Sequence, residues 1–321
     1  MAIIVFGGNG FVGSNLVDAL IKLEKEVIVC DIVKCDNSKK LDNVTYVTLD
    51  MTKKSDFEKL VLKSDDIVVN LAANQYHNKV PRKGRKEYFF DTNTAGTRNI
   101  LEYMENCDCK NFCMFTTDMT YGRPQYLPVD TNHPQKPFGF YGQSKKAAED
   151  ICKEYRKKEF NITIFRPRMI IGPGRLGILK KLFWLIKHNL PVPTIGSGKN
   201  CYQMISVFDC VSAIMCAIDK GLPNSEYNLG SKNAPSTKDL LMNLAKSVGS
   251  KTIVFPTCGP LVKFVLKIMS IVGLEIMYKE QYMIADEDYI LDISKTEEEL
   301  DWEPQYSDKD MIVEAFNNYN K

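Results

Sequence analysis

Tyr141 and Lys145 stand four residues apart in the run Tyr141-Gly142-Gln143-Ser144-Lys145. On a helix that spacing puts both side chains on one face. A phenol of ordinary acidity is a poor base at neutral pH. A neighbouring ammonium favours the phenolate, so the pair can exchange a proton with a substrate hydroxyl. The spacing alone is common on exposed helix faces. Upstream, the apolar run ending Phe115-Thr116-Thr117-Asp118-Met119-Thr120-Tyr121-Gly122 offers hydroxyls that can hydrogen-bond the reacting substrate oxygen. The same threonines also suit a strand by propensity alone.

Proton exchange at a carbinol needs a hydride acceptor, and the first residues supply a place for one. Ile3-Ile4-Val5-Phe6-Gly7-Gly8-Asn9-Gly10-Phe11-Val12-Gly13 reads as a strand, a glycine turn and a helix start. Gly7 permits the tight turn. Gly10 lets backbone approach a pyrophosphate, and Gly13 lets the helix pack on the strand. The phosphates then meet free N–H groups at the helix N-terminus. Asp31 closes the second strand about 20 residues on, where an acid binds the ribose 2′-OH of a dinucleotide. Its charge would repel a 2′-phosphate, which favours NAD over NADP even with Lys34 nearby. Lys145 can then bond the nicotinamide ribose, and the positive ring further favours the Tyr141 phenolate.

These residues require elements that hold them. Short β-rich runs at 3–6, 27–30, 44–48, 67–70, 111–116 and 162–166 alternate with helical patterns at 13–25, 55–63, 92–105 and 144–158. That rhythm predicts an α/β fold with a doubly wound parallel sheet of about seven strands. Two later strands, 204–207 and 226–229, are expected to return to the sheet. The domain expected to bind NAD covers 1–172 plus roughly 203–230. A smaller C-terminal α/β substrate lobe covers 173–202 and 231–321, over the carboxyl ends of the strands. Segment 261–277 is strongly apolar and reads as a packed helix, or as a lip for a greasy substrate or membrane surface.

With 321 residues the chain can bury a large core. Its net charge of +2 gives no support for nucleic-acid binding. No apolar run reaches the length of a transmembrane helix. The strand-like start argues against a secretory leader. The ten cysteines read as reduced thiols, which points to the cytoplasm. The three histidines have no paired spacing, so no metal site is expected.

Together these motifs resemble the extended short-chain dehydrogenase/reductase superfamily, its NAD-dependent epimerase/dehydratase branch, with a Rossmann-type fold. The Gly-x-x-Gly-x-x-Gly spacing is that group's form. Asn93-Thr94-Ala95-Gly96-Thr97-Arg98-Asn99-Ile100-Leu101, Phe165-Arg166-Pro167, Ile171-Gly172-Pro173-Gly174 and Leu300-Asp301-Trp302-Glu303-Pro304 are similar to further signatures. The resemblance implies that Thr117, Asp118, Tyr141 and Lys145 form the catalytic group. It implies cofactor contacts from Gly7, Gly10, Phe11, Val12, Gly13, Asp31, Asp50, Met51, Leu71, Ala72, Ala73, Asn93, Tyr141, Lys145 and Pro167. Gln75, Tyr76, His77, Arg168, Arg175 and Tyr202 would meet the substrate. The resemblance also implies a homodimer through the 92–105 and 141–158 helices, and a keto intermediate on a nucleotide-sugar.

Three departures from the group's pattern bear on the reaction. Met119 stands where its dehydratases place a Glu. Met169 replaces an Asn near the sugar phosphates, and Tyr202 replaces an Arg that holds the diphosphate. Arg82, Lys83, Arg85 and Lys86, or Arg168, Arg175, Lys180 and Lys181, would have to compensate. The leading expectation is a nucleotide-sugar epimerase or oxidoreductase. The alternatives are a dehydrogenase of a sterol-like secondary alcohol, a 4,6-dehydratase, and last a non-catalytic NAD-sensing regulator.

Overall fold

The structure, a computed structural model, describes residues 1–36, 40–41, 43–76, 80–175 and 179–319. The chain runs β1 (Ile3–Phe6), α1 (Phe11–Lys22), β2 (Val27–Asp31), β3 (Val44–Thr48), a 3-10 turn (Lys54–Lys59) and β4 (Ile67–Asn70). Then come α2 (Arg85–Phe90), a π-helical turn (Asp91–Gly96), α3 (Thr97–Asn106), β5 (Asn111–Phe115), α4 (Phe140–Arg156) and β6 (Asn161–Pro167). The remainder is β7 (Met169–Ile171), α5 (Leu179–Lys187), β8 (Val192–Pro193), β9 (Met204–Ser206), α6 (Val207–Asp219) and β10 (Glu226–Leu229). It ends with α7 (Thr237–Ser247), β11 (Val254–Phe255), α8 (Gly259–Ile271), α9 (Lys279–Tyr282), α10 (Ser294–Leu300) and α11 (Asp308–Tyr319).

Seven parallel strands lie in the order β3-β2-β1-β4-β5-β6-β10. Strand order reverses between β1 and β4, so a crevice opens there at the carboxyl ends. β1 shows why the sheet is covered on both sides. Ile3 and Val5 point into one core with Leu16 and Leu20 of α1 and Ile214 of α6. Ile4 and Phe6 point into the other with Ile100 and Met104 of α3 and Ile151 of α4. Phe183, Leu244, Ile312 and Phe316 form a third core in the lobe.

Several elements differ from expectation. Residues 204–206 do not join the main sheet. β9 pairs with β7, Met169 opposite Met204, in a two-stranded ladder. β6 leaves the sheet at Arg168, and its free edge is taken by β10, with Glu226 opposite Ile164; strand propensity does not encode the partner. The 55–63 pattern closes as a 3-10 turn, and α4 begins at Phe140, one residue before Tyr141. Of the apolar residues behind the dimer expectation, Ile100, Leu101, Met104, Ala148 and Ile151 are buried in the core with the sheet, and Ala147 is half-buried. Among the described residues, no helix is long and apolar enough to cross a membrane.

Candidate active site

A cleft of about 1040 Å³ lies along the carboxyl ends of the strands. At one end stands the turn after β1, where space is reserved for backbone. A Cβ on Gly13 would lie 2.2 Å from the Gly7 carbonyl oxygen, and one on Gly7 would lie 2.7 Å from the Ala72 nitrogen. Gly7 also has φ of +77°, which favours glycine. Gly10 donates its N–H to the Gly7 oxygen at 2.9 Å and stands just before α1. Asp31 accepts from the Asn9 N–H at 3.0 Å and the Val33 N–H at 2.9 Å, so its carboxylate also braces the glycine turn. Gly7, Gly10, Phe11, Val12, Gly13, Asp31, Asp50, Met51, Leu71, Ala72, Ala73 and Pro167 all line this cleft. A glycine turn on the cleft wall, with an acid at the second strand end, fits a dinucleotide.

At the other end α4 presents Tyr141 and Lys145, both buried and both on the cleft wall. Lys145 Nζ donates to the Phe115 oxygen at 2.9 Å, which fixes it beneath the wall at the end of β5. Burial lowers its pKa to about 8, against the charges of Glu149 and Cys152. Burial pushes the Tyr141 phenol up; Arg175 draws it down, Asp118 pushes it up, and a hydrogen bond with Thr117 draws it down again. Thr117 Oγ1 also lies 3.0 Å from Asp118 Oδ1, so its single proton is shared between the Asp118 carboxylate and Tyr141, and it accepts from the Met119 N–H. Tyr141 packs in an aromatic nest: Tyr76 lies edge-on at 5.4 Å and itself stacks on Tyr278 at 4.6 Å. Met119 packs against this nest.

The sequence-predicted substrate residues separate on inspection. Gln75, Tyr76, Arg168, Arg175 and Tyr202 line the cleft. His77 lies outside the described residues. Arg175 Nη2 donates to Gln75 Oε1 at 2.8 Å. Arg168 is only partly engaged by the protein: its buried Nε and Nη2 have no hydrogen-bond partner among the described residues. It is buried, ion-paired through Nη1 with Asp118, and sandwiched between the Tyr202 and Tyr289 rings, each 4.0 Å from Cζ. Burial works against its charge, but Tyr202, Asp118 and Tyr289 outweigh burial and hold it protonated. Tyr202 thus stacks on an arginine in place of being one. Asn93, by contrast, is buried behind the cleft wall. It donates to the Asn74 oxygen at 3.1 Å and Ser144 Oγ at 3.0 Å, and accepts from the Asn74 N–H. It positions, from within a π-helical turn.

Sequence reading missed a buried pair directly below. Glu149 accepts from Arg166 through Nε and Nη2, the latter at 2.6 Å, and from Thr116 Oγ1 and Gln135 Nε2. Arg166 Nη1 continues to the Tyr121 hydroxyl at 2.9 Å. The signal was present, since Tyr141, Lys145 and Glu149 follow one helix face at i, i+4 and i+8. Tyr278, Glu280 and Tyr289 also shape the site, and no local signal marks them. Among the described residues, no cluster of three or more His, Cys, Asp or Glu is placed to hold a metal.

A switch-point cleft with a glycine turn at one end and a buried Tyr–Lys pair at the other fits a dinucleotide-dependent enzyme of the Rossmann class. The family model "NAD dependent epimerase/dehydratase family" matches residues 3–230, and the chain belongs to that family; it is an NAD-dependent enzyme. A putative UDP-glucose 4-epimerase of Methanocaldococcus jannaschii is 30% identical, covering 77% of this chain and 82% of its own. The N-acetyl-alpha-D-glucosaminyl-diphospho-ditrans,octacis-undecaprenol 4-epimerase of Escherichia coli O157:H7 is 29% identical over 78% and 73%. The UDP-glucose 4-epimerase structure from Thermotoga maritima shares the fold, with TM-score 0.78 at 22% identity over 100% and 99% of the two chains.

Proposed function

We propose that the protein epimerises, or oxidises and reduces, a secondary carbinol on a diphosphate-linked sugar. The carrying observation is the buried Tyr141–Lys145 pair on the wall of the cleft that also holds the glycine turn. NAD, when bound on the Gly7–Gly13 turn with Asp31 at its ribose, supplies the hydride acceptor and donor. Tyr141 takes the hydroxyl proton as the carbinol becomes a ketone and returns it as the carbinol re-forms. Lys145 stabilises the phenolate electrostatically. Thr117, bonded to Tyr141, orients the phenol and the substrate oxygen. If the ketone turns in the cleft between the two transfers, the carbinol carbon inverts. Arg175, on the cleft wall beside Gln75, and Arg168, whose Nε and Nη2 have no partner among the described residues, are the candidate ligands for a diphosphate.

Dehydration is not favoured. Asp118 stands in an ion pair with Arg168, and Met119 has no proton to move. The test is mass spectrometry of a pooled sugar-diphosphate panel incubated with protein and NAD. A peak of unchanged mass and shifted retention marks epimerisation, and loss of two hydrogens marks oxidation. Loss of water would overturn the reading.

A further inference from the structure

α8 and its continuation to residue 276 are unused by this mechanism. The helix sequence GPLVKFVLKIMSI is mostly apolar, broken by Lys263, Lys267 and Ser270. One side faces the protein, with Leu266 buried and Val262 and Met269 half-buried. The other side is a continuous stripe at i, i+3, i+7 and i+10: Leu261, Phe264, Ile268 and Ile271. Val272 and Leu274 extend it. All six are exposed, Phe264 to 58% and Ile271 to 75%. A stripe of this kind left in water marks a contact surface.

Its surroundings select the occupant. The stripe runs into the cleft mouth, where Glu275, Ile276 and Tyr278 line the wall. The border is basic. Lys267 and Lys279 are exposed, Arg82 donates to the Gly273 oxygen, and Lys181 donates to the Ile276 oxygen. Of the nearby acids, Glu275 pairs with Arg85 and Asp286 with Lys263, and Glu280 lines the cleft beside Tyr76. At 13 residues α8 is about 20 Å long, too short to span a bilayer and suited to lying in its interface. A second copy on a two-fold axis would bring each basic border toward its own like. Anionic headgroups complement it.

We propose that the exposed face of α8 seats the protein on an anionic phospholipid bilayer, with the cleft mouth at headgroup level, and that the sugar entering the cleft is carried on a membrane-lipid diphosphate. The second clause rests on the function proposed above; the first does not. Met169 and Tyr202, standing where the resembled group binds a nucleotide's phosphates, agree with a different carrier.

The experiment is flotation of the purified full chain with vesicles of phosphatidylethanolamine and phosphatidylglycerol, and with phosphatidylcholine vesicles. Binding to the anionic vesicles is expected. Phe264→Glu with Ile268→Glu should weaken it more than ~10-fold, since each ring or branched chain loses its apolar burial. Val61→Glu, more exposed still but before β4 at the far end of the sheet, should leave it unchanged. The melting temperature and NAD affinity of all variants should match the parent. In a second arm, a polyprenyl-diphosphate sugar embedded in the same vesicles and a soluble UDP-sugar are offered as substrates. Conversion of the lipid-borne sugar, lost in the double variant, supports the proposal. Absence of vesicle binding, or binding indifferent to the double variant, overturns the seat. A dimer that the double variant dissociates gives the face to a second copy and also overturns it. Conversion of the UDP-sugar alone overturns the lipid carrier. If neither sugar reacts while vesicle binding follows the stripe, the functional reading fails and the seat stands.

Discussion

The two ends of the cleft are built on different physics. The glycine end works through backbone: Gly7, Gly10 and Gly13 matter for the atoms they lack, and the Gly13 Cβ position lies 2.2 Å from a carbonyl oxygen. The reactive end works through buried side chains. Tyr141, Lys145, Asp118 and Arg168 are all buried, and each depends on a neighbour for its charge or proton. The first end should therefore fail sterically and ignore pH. The second should fail electrostatically and titrate.

The largest contrast is expected from Tyr141→Phe. Removing the proton-transfer group should cost about 10²–10⁴-fold in turnover. NAD affinity, measured by fluorescence titration, should stay near the parent value because the glycine end is untouched. A variant with full turnover would end the assignment of Tyr141. Next is Arg168→Met, which leaves the Asp118 carboxylate buried without its cation. A loss of about 3–5 kcal/mol in stability is expected by denaturant unfolding. Adding Asp118→Asn should recover most of it; without recovery, the pair is not the cause.

Gly13→Ala should be smaller in stability, about 1–3 kcal/mol, because the backbone must shift to admit one methyl. Its signature is weakened NAD binding at every pH. A pH-dependent deficit would blur the division between the ends. The smallest effect is in the pH profile. With Lys145 lowered to about 8 by burial, its charge is present below that pH and lost above it. Turnover should fall as pH rises through about 8, whereas NAD binding to the glycine turn should hold level across the same range. A turnover plateau continuing well above 8 would remove Lys145's charge from the mechanism.

Part of this was legible in the chain. β1, β2, β4 and β5 follow short apolar runs whose period and composition already require a doubly covered parallel sheet. The Tyr141–Lys145 spacing needs only a helix to bring the two together, and α4 provides it. Glu149 is legible by the same rule, one turn further along the helix. Other features were not. Tyr278 reaches Tyr76 across about 200 positions, and Tyr289 reaches Arg168 across about 120, separations at which local pattern says nothing of contact. The pairing of β9 with β7 depends on where the chain leaves the sheet at Arg168.

The amino-acid sequence by itself determined the sheet, the glycine turn, the acid after the second strand and the helical Tyr–Lys pair, because each is a local matter of period, steric allowance or spacing. Only the tertiary structure decided which charges are available. It buried Arg168 against Asp118, withdrew Asn93 behind the wall, and left the stripe of α8 uncovered at the cleft mouth. Burial and partnership depend on what the rest of the chain brings alongside, and no single stretch of residues contains that information.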